Sequence, residues 1–209
     1  MFERFRAEYV SLRDRDTAGP AWRHERFAAV EGYGEFTAEF AGASFGGGLY
    51  RVHDDQTGPR SLGLVTEAFP EFADRVCPFG YDWLGRQFAI DSGRIDGGQP
   101  LVLLLEPGSG EALEIPLSFV ALHEEELIEY ADAALATAFF RAWSASTESG
   151  PLRRDQCVGY RVPLFLGGRD EVGNLEPSDI DVYWSICGQL RRGVLNLPPG
   201  TSVNQVGHY

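Results

Sequence analysis

The sequence contains no lysine. All 18 of its basic residues are arginines, set against 31 Asp and Glu, for a net charge of -13. A chain this acidic is repelled by nucleic-acid phosphates and by anionic lipid, so neither nucleic acid nor a membrane surface is expected as a partner. No basic patch offsets the imbalance, because the longest arginine runs are the pairs Arg153-Arg154 and Arg191-Arg192. Long apolar runs are missing too. Leu101 to Leu105 falls far short of the ~20 residues that cross a bilayer. The N-terminal MFERFRAEYV alternates charge with aromatics, unlike a secretory signal. Cysteine is scarce: Cys77, Cys157 and Cys187 are too few and too widely spaced for a disulfide scaffold or a zinc knuckle. An odd count fits a reducing compartment, so a cytoplasmic location is expected.

What is present is the composition of an ordinary globular chain, 44% hydrophobic and 12% aromatic over 209 residues, enough for one large domain or two small ones. Phe2, Phe5, Tyr9 and Leu12 recur at helical spacing and predict a first amphipathic helix. The alternation Phe36, Ala38, Phe40 reads as a strand over Tyr33 to Phe40, with a second short strand at Leu49 to His53. A helix follows from Arg60 and stops near Pro70, then come strands at Val76 to Tyr81 and Arg86 to Ile90. The apolar run Leu101 to Leu105, the turn Pro107-Gly108-Ser109-Gly110 and the segment Ala112 to Leu117 predict a hairpin. Its first strand is buried on both faces, and Pro116 puts its second at an edge. The strongest helix signal runs from Glu124 to Trp143, along the stripe Leu127, Ala131, Leu135, Ala138, Ala142. Tyr160 to Leu166 reads as an edge strand, and a last helix opens at Ser178-Asp179-Ile180-Asp181 and closes at Arg191-Arg192-Gly193. Interspersed helices and hairpins give an α+β class, a mixed or antiparallel sheet packed against several helices.

The chemistry-bearing motifs are few. Gly42-Ala43-Ser44-Phe45-Gly46 matches the G-x-S-x-G elbow of hydrolases, which works only on a strand-to-helix turn. Here glycines and a strand-like segment follow, so Ser44 is not expected to be catalytic. His24, His53, His123 and His208 never pair at ligand spacing, and no phosphate-binding glycine motif occurs. Neither catalytic residues, nor a metal, nor a cofactor is expected. Two acidic clusters remain, Glu124-Glu125-Glu126 with Glu129 and Asp132, and Asp179 with Asp181. Carboxylates at a helix start are stabilised by the backbone dipole alone. If the partner is basic, Glu125, Glu129 and Asp132 share a helical face and are the first candidates to meet it, with Asp179 and Asp181 next beside Asp170 and Glu171.

Four blocks are distinctive: Phe79-Gly80-Tyr81-Asp82-Trp83-Leu84-Gly85-Arg86, Leu105-Glu106-Pro107-Gly108-Ser109-Gly110-Glu111, Cys157-Val158-Gly159-Tyr160-Arg161-Val162-Pro163, and Asp181-Val182-Tyr183-Trp184-Ser185-Ile186-Cys187-Gly188. Taken in order, they resemble the C-terminal domain of the type VI secretion immunity proteins that neutralise an antibacterial DNase effector, with a looser similarity to the SUKH class. The resemblance implies a non-catalytic cytoplasmic protein that binds a cognate toxin nuclease and covers its active site or DNA groove. The alternative is a small-molecule-binding or regulatory domain of the same fold without a toxin. It also implies an immunity-type domain over residues 46–201, residues 1–45 packed on it as a helix-and-strand region, and a tail at 202–209. Trp83, Trp143 and Trp184 are expected to be buried.

Overall fold

The computed structural model describes residues 1–14, 19–147 and 150–195; the expected tail at 202–209 lies outside these residues. Phe5 and Tyr9 lie on one face of α1 (Glu3–Tyr9), with Phe2 buried just before it, and the helix continues as a 3-10 turn to Leu12. Next comes α2 (Tyr33–Phe40), where a strand was expected. The Phe36/Ala38/Phe40 alternation is only part of the pattern. Tyr33, Phe36, Thr37 and Phe40, at helical spacing, are the residues that are buried. The strands β1 (Ser44–Phe45) and β2 (Tyr50–Val52) follow, then α3 (Thr57–Ala68).

The sheet continues through β3 (Val76–Asp82), β4 (Gln87–Asp96), β5 (Gln99–Glu106) and β6 (Glu111–Ser118). Its six strands lie in chain order and every pair is antiparallel. The Leu101–Leu105 run sits inside the sheet, and β6, with Pro116, forms the edge. Alternate residues of each inner strand feed opposite layers. Phe79, Phe88, Ile90, Val102 and Leu104 join Phe2, Phe5, Phe36 and Phe40 on one face. Ala89, Leu103 and Leu105 join Val65, Phe69 and Trp184 on the other. The fold is therefore α+β, an antiparallel sheet between two helical layers.

The expected Glu124–Trp143 helix is broken. It becomes α4 (Phe119–Ala121), a π-helical turn at Leu122–Glu126, α5 (Leu127–Glu129), α6 (Ala131–Leu135) and α7 (Thr137–Ser146). The break before α7 is at Ala136, whose φ of 51° is left-handed. Beyond it, β7 (Gln156–Tyr160) pairs with β8 (Leu175–Asp179) in a separate two-stranded sheet. The strand thus ends where it was expected to begin, and Leu164–Leu166 forms a 3-10 turn. Finally α8 (Ile180–Val194) packs along α3, and a Cβ on Gly188 would lie 2.9 Å from that of Ala68. Trp83, Trp143 and Trp184 are all buried, as expected.

Candidate functional site

The helix starts of α3 and α8 open on one cleft of about 400 Å³. Just after β2, Asp54 Oδ1 accepts the backbone N–H groups of Gln56 (3.2 Å) and Thr57 (2.9 Å) and the Thr57 hydroxyl (2.8 Å). Asp179 does the same for α8, accepting from the N–H groups of Asp181 and Val182, both at 3.0 Å. Short polar side chains at these positions satisfy donors that a first helical turn leaves unpaired. The remaining walls come from His53, Tyr81 and the Arg154–Asp155 segment.

The cleft is predominantly acidic. Asp54, Asp155, Asp179 and Asp181 face Arg60 and Arg154. Arg154 Nη1 donates to Asp54 Oδ2 at 2.8 Å, and Arg60 pairs with Asp181, tying α3 to α8. Burial would raise the Asp54 carboxyl, but its bonds from Thr57 and Arg154 prevail and hold it below the usual range. For Asp181 burial prevails and, with Asp179 beside it, raises the carboxyl despite Arg60. Behind the cleft the fully buried Arg51 donates to the carbonyls of Arg153 (2.9 Å), Gln156 (2.5 Å) and Asp82 (2.9 Å). Its guanidinium lies 4.4 Å from the Tyr81 ring centre, an attractive cation–π distance. This anchors the 153–156 segment to the sheet. His53 is held at both nitrogens, 2.7 Å from Gln87 Oε1 and 3.1 Å from Thr57 Oγ1, and burial lowers its pKa to about 4. It is neutral at physiological pH.

The motif residues with nucleophilic groups lie elsewhere. Ser44 is buried on β1 and donates to Asp14 Oδ2 at 2.6 Å; no helix starts beside it, as an elbow requires. The three cysteines are buried, and desolvation pushes Cys77 up to about 12, Cys187 up to about 11, and Cys157 above the usual thiol range. They remain thiols, not thiolates, at neutral pH.

The structure divides the sequence-derived acidic candidates. Glu129 pairs with Arg4 at 2.7 Å, and Glu124 accepts the backbone N–H of Phe5 at 3.1 Å, so both secure α1. Asp132 lies beyond the bend at Tyr130 and accepts from Thr137 Oγ1 (2.8 Å) and Ala138 N–H (2.6 Å), capping α7. Glu125 is exposed. Asp170 accepts from the Tyr160 hydroxyl at 2.7 Å, and Glu171 is exposed. Asp179 and Asp181 do come together, in the cleft. Sequence reasoning missed His53, Asp54, Arg60, Tyr81 and Arg154, which are scattered over a hundred positions; the available signal was Asp54 three residues before Thr57 at a helix start.

Residues 117–191 match the family model described as T6SS immunity protein Tdi1, C-terminal. The matched stretch runs from the end of β6 into the last turn of α8 and supports the resemblance to type VI secretion immunity proteins. The crystal structure of Atu4351 from Agrobacterium tumefaciens is similar in fold, with a TM-score of 0.60 at 16% identity, covering 90% of this chain and 89% of that one. The comparison with curated proteins found no match.

Proposed function

From the match of residues 117–191 to the type VI secretion immunity family, we propose that this chain is a non-catalytic immunity protein acting in the cytoplasm. It binds a cognate antibacterial DNase toxin and neutralises it by covering the active site or DNA groove. The family match carries this reading, and charge supports it. A nuclease holds the phosphates of its substrate in a basic groove, and an inhibitor at -13 is steered to such a groove and substitutes carboxylates for phosphates. Glu125, Glu129, Asp132, Asp179 and Asp181 are the candidate contacts.

The test is co-purification with the product of a nuclease-like reading frame identified beside the one that encodes this chain, followed by a plasmid-cleavage assay. Stoichiometric addition of this chain should abolish cleavage and its co-expression should restore viability. Cleavage that continues with the chain in excess would refute the reading. The cleft supports a second one: about 400 Å³ lies within the size range of small-molecule sites. On that reading the chain binds a small polar ligand, and a thermal shift with such a compound would accompany unimpeded toxin.

A further inference from the structure

The helix α8 presents to solvent a pair of apolar side chains that no described element covers. Its buried face, Tyr183, Trp184, Cys187, Gly188 and Arg191, packs on α3 and the sheet. On the opposite side Val182 and Ile186, one helical turn apart, are each 52% exposed. Gln189 and Gly193 continue the same line and are exposed, a spacing that forms one straight ridge. Other exposed apolar side chains, such as Ile95, Leu113 and Val162, sit singly on β4, on β6 and after β7, and isolated residues of that kind are ordinary.

The ridge is held rigidly. Trp184 Nε1 donates to the Gly85 carbonyl at 2.7 Å, Arg191 reaches the carbonyls of Ala68 (2.9 Å) and Gly110 (2.8 Å), and Arg192 pairs with Glu67 at 2.9 Å. A surface already fixed by folding loses little conformational freedom on binding. At its N-terminal end the ridge runs into Asp179, Asp181 and the acidic cleft, giving an apolar centre with a charged rim, the anatomy of a specific protein interface.

We propose that this face of α8, centred on Val182 and Ile186, is where a basic toxin domain docks, with the adjoining acidic cleft receiving one of its Arg or Lys side chains. The inference rests on the immunity reading above and narrows it to one surface. Three observations select the occupant. The net charge of -13 makes a second copy of this chain, which would bring Asp179 and Asp181 against like charges, an unfavourable partner. The rim carboxylates complement a basic one. The face also lies within the matched residues 117–191.

The experiment measures binding of the toxin nuclease that co-purifies in the test above to the full chain by calorimetry, beside size-exclusion chromatography of the chain alone. Val182→Ser with Ile186→Ser should raise the dissociation constant at least about 30-fold with an unchanged melting midpoint, as expected for central interface residues. The control Ile95→Ser should leave it unchanged. Ile186→Gln alone should weaken binding about tenfold and keeps the result readable if the double variant melts early. Toxin binding that survives both the double and the single substitution overturns this surface and leaves the immunity reading standing. A wild-type chain that does not bind the toxin refutes that reading, and this inference with it. A wild-type dimer that the double variant dissolves makes a second copy the occupant and overturns the proposal.

Discussion

His123 lies wholly inside the aromatic core, with Nδ1 2.8 Å from the Phe119 carbonyl and Nε2 2.9 Å from the Tyr50 hydroxyl. A carbonyl only accepts, so Nδ1 carries the proton and Nε2 accepts from Tyr50. Rings of Phe36 and Phe119 lie 4.0 and 4.5 Å from the imidazole, centre to centre. Burial in this shell lowers its pKa to about 3. His123 lies on the π-helical turn Leu122–Glu126, a rare single-turn departure from α-helix.

Acid sensitivity follows from this pair and from His53. Both imidazoles have folded pKa values, about 3 and about 4, below the ordinary 6.5. The unfolded chain therefore binds the proton more readily, so their stabilisation is complete above about pH 6.5 and is lost as pH falls below it. Each should cost about 2 kcal/mol between pH 6.5 and pH 5. The Glu106 carboxyl, raised by burial, acts in the opposite sense. Denaturant midpoints across this range should fall, while the ring signals of His53 and His123 in native-state NMR stay flat. A ring that titrates near pH 6 in the native protein would contradict the assignment.

Trp143 is the second point of sensitivity. It is 2% exposed and packs 6.0 Å, centre to centre, from Trp83, which in turn donates to the Leu135 carbonyl at 2.9 Å. Trp143→Ala should cost about 3–5 kcal/mol. Chemical unfolding measures this directly, and an unchanged midpoint would show that α7 does not depend on the contact.

Charge changes on the α5–α7 segment should have unequal effects. Asp132→Ala removes the cap of α7 and should cost about 1 kcal/mol. Glu125→Ala, at an exposed position, should change stability by less than about 0.5 kcal/mol. Reversing Glu125, Glu129 and Asp132 together to Arg therefore disturbs folding as well as charge. Thermal melts of the single variants separate the two effects.

Single replacements of Ser44, Cys77, Cys157 and Cys187 by Ala should leave toxin protection intact. Ser44→Ala breaks the bond to Asp14 and should cost about 1 kcal/mol of stability. Survival of cells co-expressing toxin and variant is the readout. Loss of protection with an unchanged melting midpoint would point to chemistry at that position.

Legibility in the sequence followed how local each cause was. The hairpin of β5 and β6 was readable because Leu101 to Leu105 and the Pro107–Gly110 turn state it in adjacent residues. The start of α8 was readable from the Ser178–Asp181 run, although the cap is Asp179 and not the serine of the Ser-x-x-Asp pattern, whose hydroxyl donates to the Asp179 carbonyl instead. The α2 segment was misread because Phe36 and Phe40 satisfy both a two-residue and a helical period, and only packing against Phe5 decides between them. The breaks at Tyr130 and Ala136 carry no glycine or proline to announce them. The cleft was invisible for a different reason. His53, Tyr81 and Arg154 meet only after the sheet has formed and Arg51 has anchored the 153–156 segment.

Placing α8 after every described strand fixes an order of events during synthesis. The ribosome releases the whole antiparallel sheet before the helix that covers its second face. Until Trp184 has emerged, Val65, Phe69, Leu103 and Leu105 lack one wall of their layer, and such exposed apolar surface invites aggregation. A nascent chain cut before Ile180 would lack both that wall and the Val182–Ile186 ridge, so the proposed docking ridge and the closure of this layer would be acquired together.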